Sequence, residues 1–404
     1  MQGLTDETRR AYGLVVVAAF AYTCLMFVWF SLPAYLSRIV EDVGLTGTQA
    51  GLLVGAVPLT YIPLALFSGV AIDRVGPGRS LAAGVSVYGV AQIARSVALG
   101  FPSLLASTLL LGVGATAVTF GLPKLVSILF PPERTGLPSS IYLIGAAAGS
   151  AGAFGVGRPL LGPLLGGWRP LFLWSGLAAV AYALLWYAIS RKAGIDDSTA
   201  EGESFSVRSV GRDLRLVLSH RELRFVVAVG TMYLLVNHGI QGWLPTILES
   251  RGLSPDRAGV TTSLFVAAAA VSTLLLPAVA DRYAARRTAL VACGSVVFLG
   301  VLGTALSGIG PLLFLGVAVT GAGVGGISPL VRAIPPDLEG IGPRLTGTAM
   351  GFVFAVGEVG GFLGPVLIGT FREETNSFVP GFAMLAAAGL VVVLAGEGLR
   401  RSTE

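Results

Sequence analysis

Residues 11–37 read AYGLVVVAAFAYTCLMFVWFSLPAYLS, and no charged side chain interrupts the run between Arg10 and Arg38. At about 1.5 Å of rise per residue, a helix over this stretch crosses the roughly 30 Å hydrocarbon core of a bilayer. The rest of the chain agrees with this opening. Hydrophobic residues make up 54% of it and charged residues 12%, too little charge to cover the surface of a water-soluble protein of this size. The 56 glycines and 22 prolines would break soluble helices. In a membrane, small residues let helices approach closely, and neighbouring helices satisfy the backbone groups that a proline frees. The run is too long for the core of a signal peptide and is expected to be a retained first helix.

Similar runs, bounded by charges and Gly/Pro turns, occur near 13–37, 49–72, 79–100, 103–130, 137–165, 170–190, 224–248, 257–279, 287–307, 310–334, 344–370 and 379–398. Twelve spans put both termini on one side. The basic residues say which side. Arg9, Arg10, Arg74, Arg79, Arg134, Arg191, Lys192, Arg208, Arg212, Arg215, Arg221, Arg224, Arg282, Arg286, Arg287, Arg332, Arg344, Arg400 and Arg401 fall on the side of the termini. Only Arg38, Arg169, Arg251, Arg257 and Arg372 fall opposite. This asymmetry predicts cytoplasmic termini in a cell membrane, and it assigns the net charge of +5 to loops facing anionic lipid rather than to nucleic-acid binding. The stretch 191–223 is expected to be a cytoplasmic linker, flexible over Asp196–Ser206 and helical on the membrane surface over Val207–Arg224. It separates an N-terminal half, 1–190, from a C-terminal half, 224–404.

The halves repeat one another. A shift of 208 positions lays Gly44, Leu45, Ala50, Gly51, Leu66, Asp73, Arg74 and Arg79 over Gly252, Leu253, Ala258, Gly259, Leu274, Asp281, Arg282 and Arg287. Pro131-Pro132-Glu133 matches Pro335-Pro336-Asp337, and Gly149, Gly162 and Pro163 match Gly351, Gly364 and Pro365. Parallel six-helix repeats are the architecture of major facilitator transporters. The run Gly69-x3-Asp73-Arg74-x-Gly76-x2-Arg79 resembles that family's motif between helices two and three, with Pro77 and Gly78 in place of a basic pair. Asp281-Arg282-x3-Arg286-Arg287 resembles its second copy. Gly149-x8-Arg158-x3-Gly162-Pro163 resembles the helix-five motif of proton antiporters, with Arg158 where a central glycine is usual. A finer likeness is to the cyanate and nitroimidazole permeases, through Gln241-Gly242-Trp243-Leu244-Pro245, Phe30-Ser31-Leu32-Pro33 and Gly357-Glu358-Val359-Gly360-Gly361. The resemblance implies an all-α membrane protein of twelve helices in two pseudo-symmetric six-helix bundles. It also implies that Gly69, Asp73, Arg74, Arg79, Asp281, Arg282, Arg286 and Arg287 form a conformational latch. Asp73 would accept from backbone N–H groups at the start of a neighbouring helix, where the dipole favours an anion. Gly149, Gly162, Pro163, Gly360, Gly364 and Pro365 are expected to pack and bend a gate.

Four ionisable residues lie inside the spans away from the loops: Arg95, Lys124, Arg158 and Glu358. A charge in hydrocarbon is costly and faces a cavity, a partner or the headgroups. Arg95 on the third span is expected to snorkel outward. In the family, helices one, four, seven and ten line the central cavity, flanked by two, five, eight and eleven, which brings Lys124, Arg158, His238 and Glu358 toward it. Two cations against one acid favour a small anionic substrate, gripped bidentately by Arg158. Glu358, with His238 as a relay, is expected to exchange a proton as access alternates. Asn237, Gln241 and Tyr233 form a polar stripe with His238, and Tyr61 and Trp29 supply apolar walls. No metal-ligand cluster, phosphate loop or nucleophile elbow occurs, so neither an enzyme nor a cofactor or metal is expected. The reading is a monomeric, proton-coupled secondary transporter of a small organic or inorganic anion. A proton-coupled efflux antiporter for drugs or metabolites and a non-transporting receptor of the same fold are the alternatives.

Overall fold

The computed structural model describes residues 6–198, 221–283, 285–338 and 342–401. Among these every regular element is helical. The long helices are α1 (Asp6–Ala34), α2 (Gly47–Val75), α3 (Pro77–Ser96), α4 (Phe101–Leu129), α5 (Gly136–Leu165), α6 (Trp168–Ala193), α7 (Arg221–Ser250), α8 (Pro255–Arg282), α9 (Arg286–Leu306), α10 (Pro311–Ala333), α11 (Gly342–Thr375) and α12 (Val379–Arg401). A short amphipathic helix, Leu36–Val43, joins α1 to α2. Eleven of the long helices are long and apolar enough to cross a membrane. The third, α3, has the length but carries Arg79, Gln92 and Arg95, which lower its apolar content. The surface helix expected over Val207–Arg224 falls largely outside the described residues.

The chain forms two compact units, one from Met1–Leu32 with Leu64–Ser204, the other from Pro33–Pro63 with Phe205–Glu404. The division therefore passes through α1 and α2, and the first half of α2 packs with the C-terminal helices. Within the first unit α3 lies against α4 and α6; within the second, α9 lies against α10 and α12. The same neighbours thus recur at the same places in the repeat.

Backbone detail follows the repeat as well. Gly44 and Gly252 both take positive φ, +72° and +98°, the left-handed region that ends a helix without Cβ strain. After each, the leucine N–H reaches back five residues: Leu45 to the Val40 carbonyl and Leu253 to the Leu248 carbonyl, both at 3.1 Å. This is the Schellman closure, and it explains why Gly-Leu recurs at a spacing of 208. The matched Pro-Pro runs both open short 3₁₀ turns, Pro132–Arg134 and Pro335–Asp337.

Close helix contacts rest on small residues. In the first unit a Cβ at Gly149 would enter the Thr23 carbonyl oxygen, and one at Gly145 would lie 3.0 Å from the Ala19 carbonyl. In the second, Gly360 and Gly364 bear the same relation to the carbonyls of Thr231 and Leu235. Both seats use a four-residue spacing on each helix, which holds two backbones together along one face. Gly351, the sequence match of Gly149, has no atom within 4 Å of its Cβ position; the alignment and the packing part company there.

Candidate functional site

At the end of α2, Asp73 Oδ1 lies 2.7 Å from Lys124 Nζ on α4, with both side chains about two-fifths exposed. Two residues expected to serve separate roles, latch and cavity, are therefore ion-paired. The anion at the start of α3 is a different residue. The buried Asp196 carboxylate accepts from the N–H of Gly78 (2.8 Å) and of Arg79 (3.1 Å), and the Arg79 guanidinium stands 3.6 Å away. The sequence places Asp196 in a flexible linker. It instead sits in a 3₁₀ turn, Ile195–Ser198, where two helix N-terminal amides and the dipole hold it. Trp186 Nε1 donates to the Gly78 carbonyl at 3.0 Å, pinning α6 to the same turn. Arg74 is exposed, and a Cβ at Gly69 would meet open space.

The second copy of the motif is arranged differently. Asp281 pairs with Arg286 at 2.6 Å, inside the connection from α8 to α9. Arg286 also donates to the Ala333 carbonyl at 3.4 Å, and Arg287 to the Leu399 carbonyl at 2.9 Å. The Arg282 guanidinium lies 6.0 Å from the centre of the Tyr283 ring.

Arg158 is buried in α5, in a π-helical segment, Ala153–Leu161, that also holds Pro159. Such segments rotate the following side chains off the α-helical register and concentrate at functional sites. Gly162 and Pro163 restart the α-helix, which ends at Gly166 and Gly167 with positive φ. Aromatic rings surround this part of the first unit. The Phe27 ring would stand 3.2 Å from a Cβ at Gly157, Trp29 stacks on Phe30 at 5.4 Å, and Phe30 packs against Phe154 at 5.7 Å.

Arg95 corrects its expectation. Rather than snorkelling, it is 1% exposed. Its Nε donates to Thr108 Oγ1 at 3.0 Å, and one terminal nitrogen to the Val28 carbonyl and Gln92 Oε1 at 3.3 and 3.2 Å. Gln92 Nε2 continues to Ser31 at 3.0 Å and Ser175 at 3.3 Å. The guanidinium thus ties α1, α3, α4 and α6 together inside the first unit. Polar residues at i and i+3 on one face of α3 were the available signal.

In the second unit His238 on α7 and Glu358 on α11 are both buried, with Nε2 and Oε2 3.8 Å apart. Gly361 makes this possible: a Cβ there would lie 2.7 Å from Glu358 Oε2, 2.9 Å from His238 Cδ2 and 3.3 Å from Pro58 Cβ. Along α7, Gln241 Nε2 donates to Asn237 Oδ1 at 2.9 Å, and Tyr233, one turn earlier, is half-buried. Tyr61 is buried in α2. The first half of α2 seats on α11, where Cβ atoms at Gly51 and Gly55 would lie 2.6 and 2.9 Å from the carbonyls of Pro365 and Phe362. The Pro365 carbonyl also accepts from Trp243 Nε1 at 2.9 Å, and Glu373 accepts from the Thr48 N–H at 2.8 Å. Among the described residues no group of His, Cys, Asp and Glu could hold a metal ion.

With the repeat, the membrane-length helices and the paired loop motifs in place, one comparison decides the family. The model described as Major Facilitator Superfamily matches residues 18–365. The chain belongs to the Major Facilitator Superfamily. As a member it is a membrane-embedded transporter and not an enzyme. The chain is 29% identical over 391 residues to YycB, an uncharacterized transporter of Bacillus subtilis (strain 168), covering 94% of this chain and 93% of that one. It is 25% identical to the hexuronate transporter of the same organism, over 88% of this chain and 86% of the relative. The 3-(3-hydroxy-phenyl)propionate transporter of Escherichia coli (strain K12) is 29% identical, over 88% and 85%. The finer likeness to cyanate and nitroimidazole permeases is not borne out: the two reported relatives whose names give a cargo are named for hexuronate and for 3-(3-hydroxy-phenyl)propionate. Solved structures carry the fold alone. A bacterial homolog of the human lysosomal transporter Spinster, inward-facing and unoccupied, superposes with a TM-score of 0.76 at 16% identity, over 98% of this chain and 97% of that one. A point mutant of the nucleoside transporter NupG gives 0.77 at 14%, over 96% and 99%.

Proposed function

We propose that the chain is a proton-coupled secondary transporter that carries a small organic anion across a cell membrane by alternating access, with both termini cytoplasmic. Relatives named for hexuronate and for 3-(3-hydroxy-phenyl)propionate support an organic acid as cargo. The buried Arg158 supplies a permanent cation for a carboxylate, and loop arginines support the orientation. The Asp73–Lys124 pair and the Asp196 turn are read as the latch that biases one access state over the other.

The observation that carries the coupling is the juxtaposition of Glu358 and His238. The ionisable group beside Glu358 in its unit is an imidazole 3.8 Å away. Unlike a guanidinium, an imidazole has a neutral form available in proteins, so Glu358 can bind and release a proton without facing a permanent cation. Uptake of radiolabelled 3-(3-hydroxyphenyl)propionate and of glucuronate into proteoliposomes tests the reading. An inward proton gradient should drive accumulation of at least one of them. Glu358→Gln should retain counterflow exchange and lose gradient-driven accumulation. Full accumulation by that variant would remove Glu358 from the coupling.

A further inference from the structure

We propose that α7 and α11 carry a subsite for hydroxyl groups of the transported acid, with Gln241 Oε1 and Glu358 Oε2 as its acceptors; the proposal rests on the reading of the chain as an organic-anion carrier. Gln241 and Glu358 are 7% and 9% exposed. Their Oε1 and Oε2 atoms are buried, and no hydrogen-bond donor among the described residues reaches either. A buried acceptor without a donor is costly, and native interiors hold few of them. Gln241 Nε2 donates to Asn237 Oδ1 at 2.9 Å, which holds the amide with its Oε1 turned away from Asn237.

The backbone increases the excess of acceptors at the same two places. Pro245 lies within α7 and Pro365 within α11, each four residues after a residue of interest. Lacking an N–H, they withdraw the helical donor from the carbonyls of Gln241 and Gly361. Gly361 is the residue whose missing Cβ leaves room beside Glu358 Oε2 and His238. The two buried side-chain acceptors call for a ligand that brings donors. For an anionic cargo those donors are hydroxyls. Ionised Glu358 accepts such a hydroxyl, whereas a proton on that oxygen competes with it, which links cargo recognition to the coupling residue.

Matched acids that differ only in hydroxyl content test this on the full-length protein in detergent, by titration calorimetry with L-tartrate against succinate and 3-(3-hydroxyphenyl)propionate against 3-phenylpropionate. A site built to receive a hydroxyl rejects the analogue that lacks it, so the hydroxylated member of at least one pair should bind about tenfold tighter or more. Gln241→Leu should collapse that ratio toward one. Gln241→Glu, which keeps an acceptor at similar reach, should preserve most of it and so separates lost recognition from a misfolded variant. Equal binding within both pairs overturns the subsite and leaves the anion reading standing. A preference unchanged in Gln241→Leu overturns it too, because the hydroxyl is then read elsewhere. Binding that requires sodium and loses that requirement in Glu358→Gln replaces it with a cation site. If none of the four acids binds, the anion reading fails and the subsite fails with it.

Discussion

Asp73 and Asp281 occupy the same position in the two repeats, yet they are held in different ways. Asp73 reaches across from α2 to Lys124 on α4. Asp281 reaches five residues along its own connection to Arg286. The turns between helices tell the other half of the story: Gly44 and Gly252 close their helices with the same backbone bonds. The repeat thus preserves what short-range backbone geometry dictates, and it diverges where side chains choose partners. Equivalence in an alignment is evidence of equal shape and weak evidence of equal role.

Helix seats give the largest effect by which this lesson can be broken. Gly149 and Gly351 are matched in sequence, but only Gly149 lies against another backbone. Gly149→Ala should lower thermal stability in detergent by about 1–3 kcal/mol, the usual cost of overpacking, because the Thr23 carbonyl cannot yield as a side-chain tip would. Gly351→Ala should be neutral or favourable by up to about 1 kcal/mol, as alanine is the better helix former. Gly360→Ala should behave like Gly149→Ala, since its obstacle is the Thr231 carbonyl. Equal melting temperatures for Gly149→Ala and Gly351→Ala would return the argument to the alignment.

The same distinction explains what the sequence made legible. Hydrophobic length locates the helices, because every span must bury its own backbone hydrogen bonds in lipid. The matched Gly-Leu and Pro-Pro turns are equally readable, since they are local. Glu358 and His238 stand out as rare ionisable residues in apolar runs, although their proximity depends on Gly361 lacking a Cβ, a condition no pattern of charge expresses. Asp196 could not be picked out. It lies in a Ser/Asp/Glu-rich stretch that reads as solvated tether, and only the return of α6 to the start of α3 buries it. Arg95 misled for the opposite reason: a lone arginine near a helix end has two low-energy destinations, and the choice is made by Thr108 and the Val28 carbonyl on other helices. The third span was readable by length despite polar residues that weaken its apolar signal; two of them, Gln92 and Arg95, are buried and make interior hydrogen bonds.

An intermediate effect is expected at the first Asp. Asp73→Asn should reach the membrane normally and slow initial transport a few-fold, the most that a half-exposed ion pair of about 0.2–1 kcal/mol can shift a two-state equilibrium. Exchanging the charges, Asp73→Lys with Lys124→Asp, should restore much of the rate if the pair itself matters. No recovery, with both proteins inserted, would mean that one of the two groups acts alone.

The smallest effect is expected at the second Asp. The Asp281–Arg286 pair joins neighbours within a single connection, so a rigid movement of helices leaves its 2.6 Å contact nearly unchanged in every access state. A contact that is equally good in two states cannot bias their equilibrium, however strong it is. Arg286 would also keep the Ala333 carbonyl after the substitution. Asp281→Asn should therefore change initial transport rates by less than about twofold, within the range expected for an exposed local pair. The measurement is most informative beside Asp73→Asn in the same vesicles. If Asp281→Asn slows transport as much as Asp73→Asn, the contrast between the interhelical and the local pair loses its functional meaning, and both copies act as latches despite their different partners.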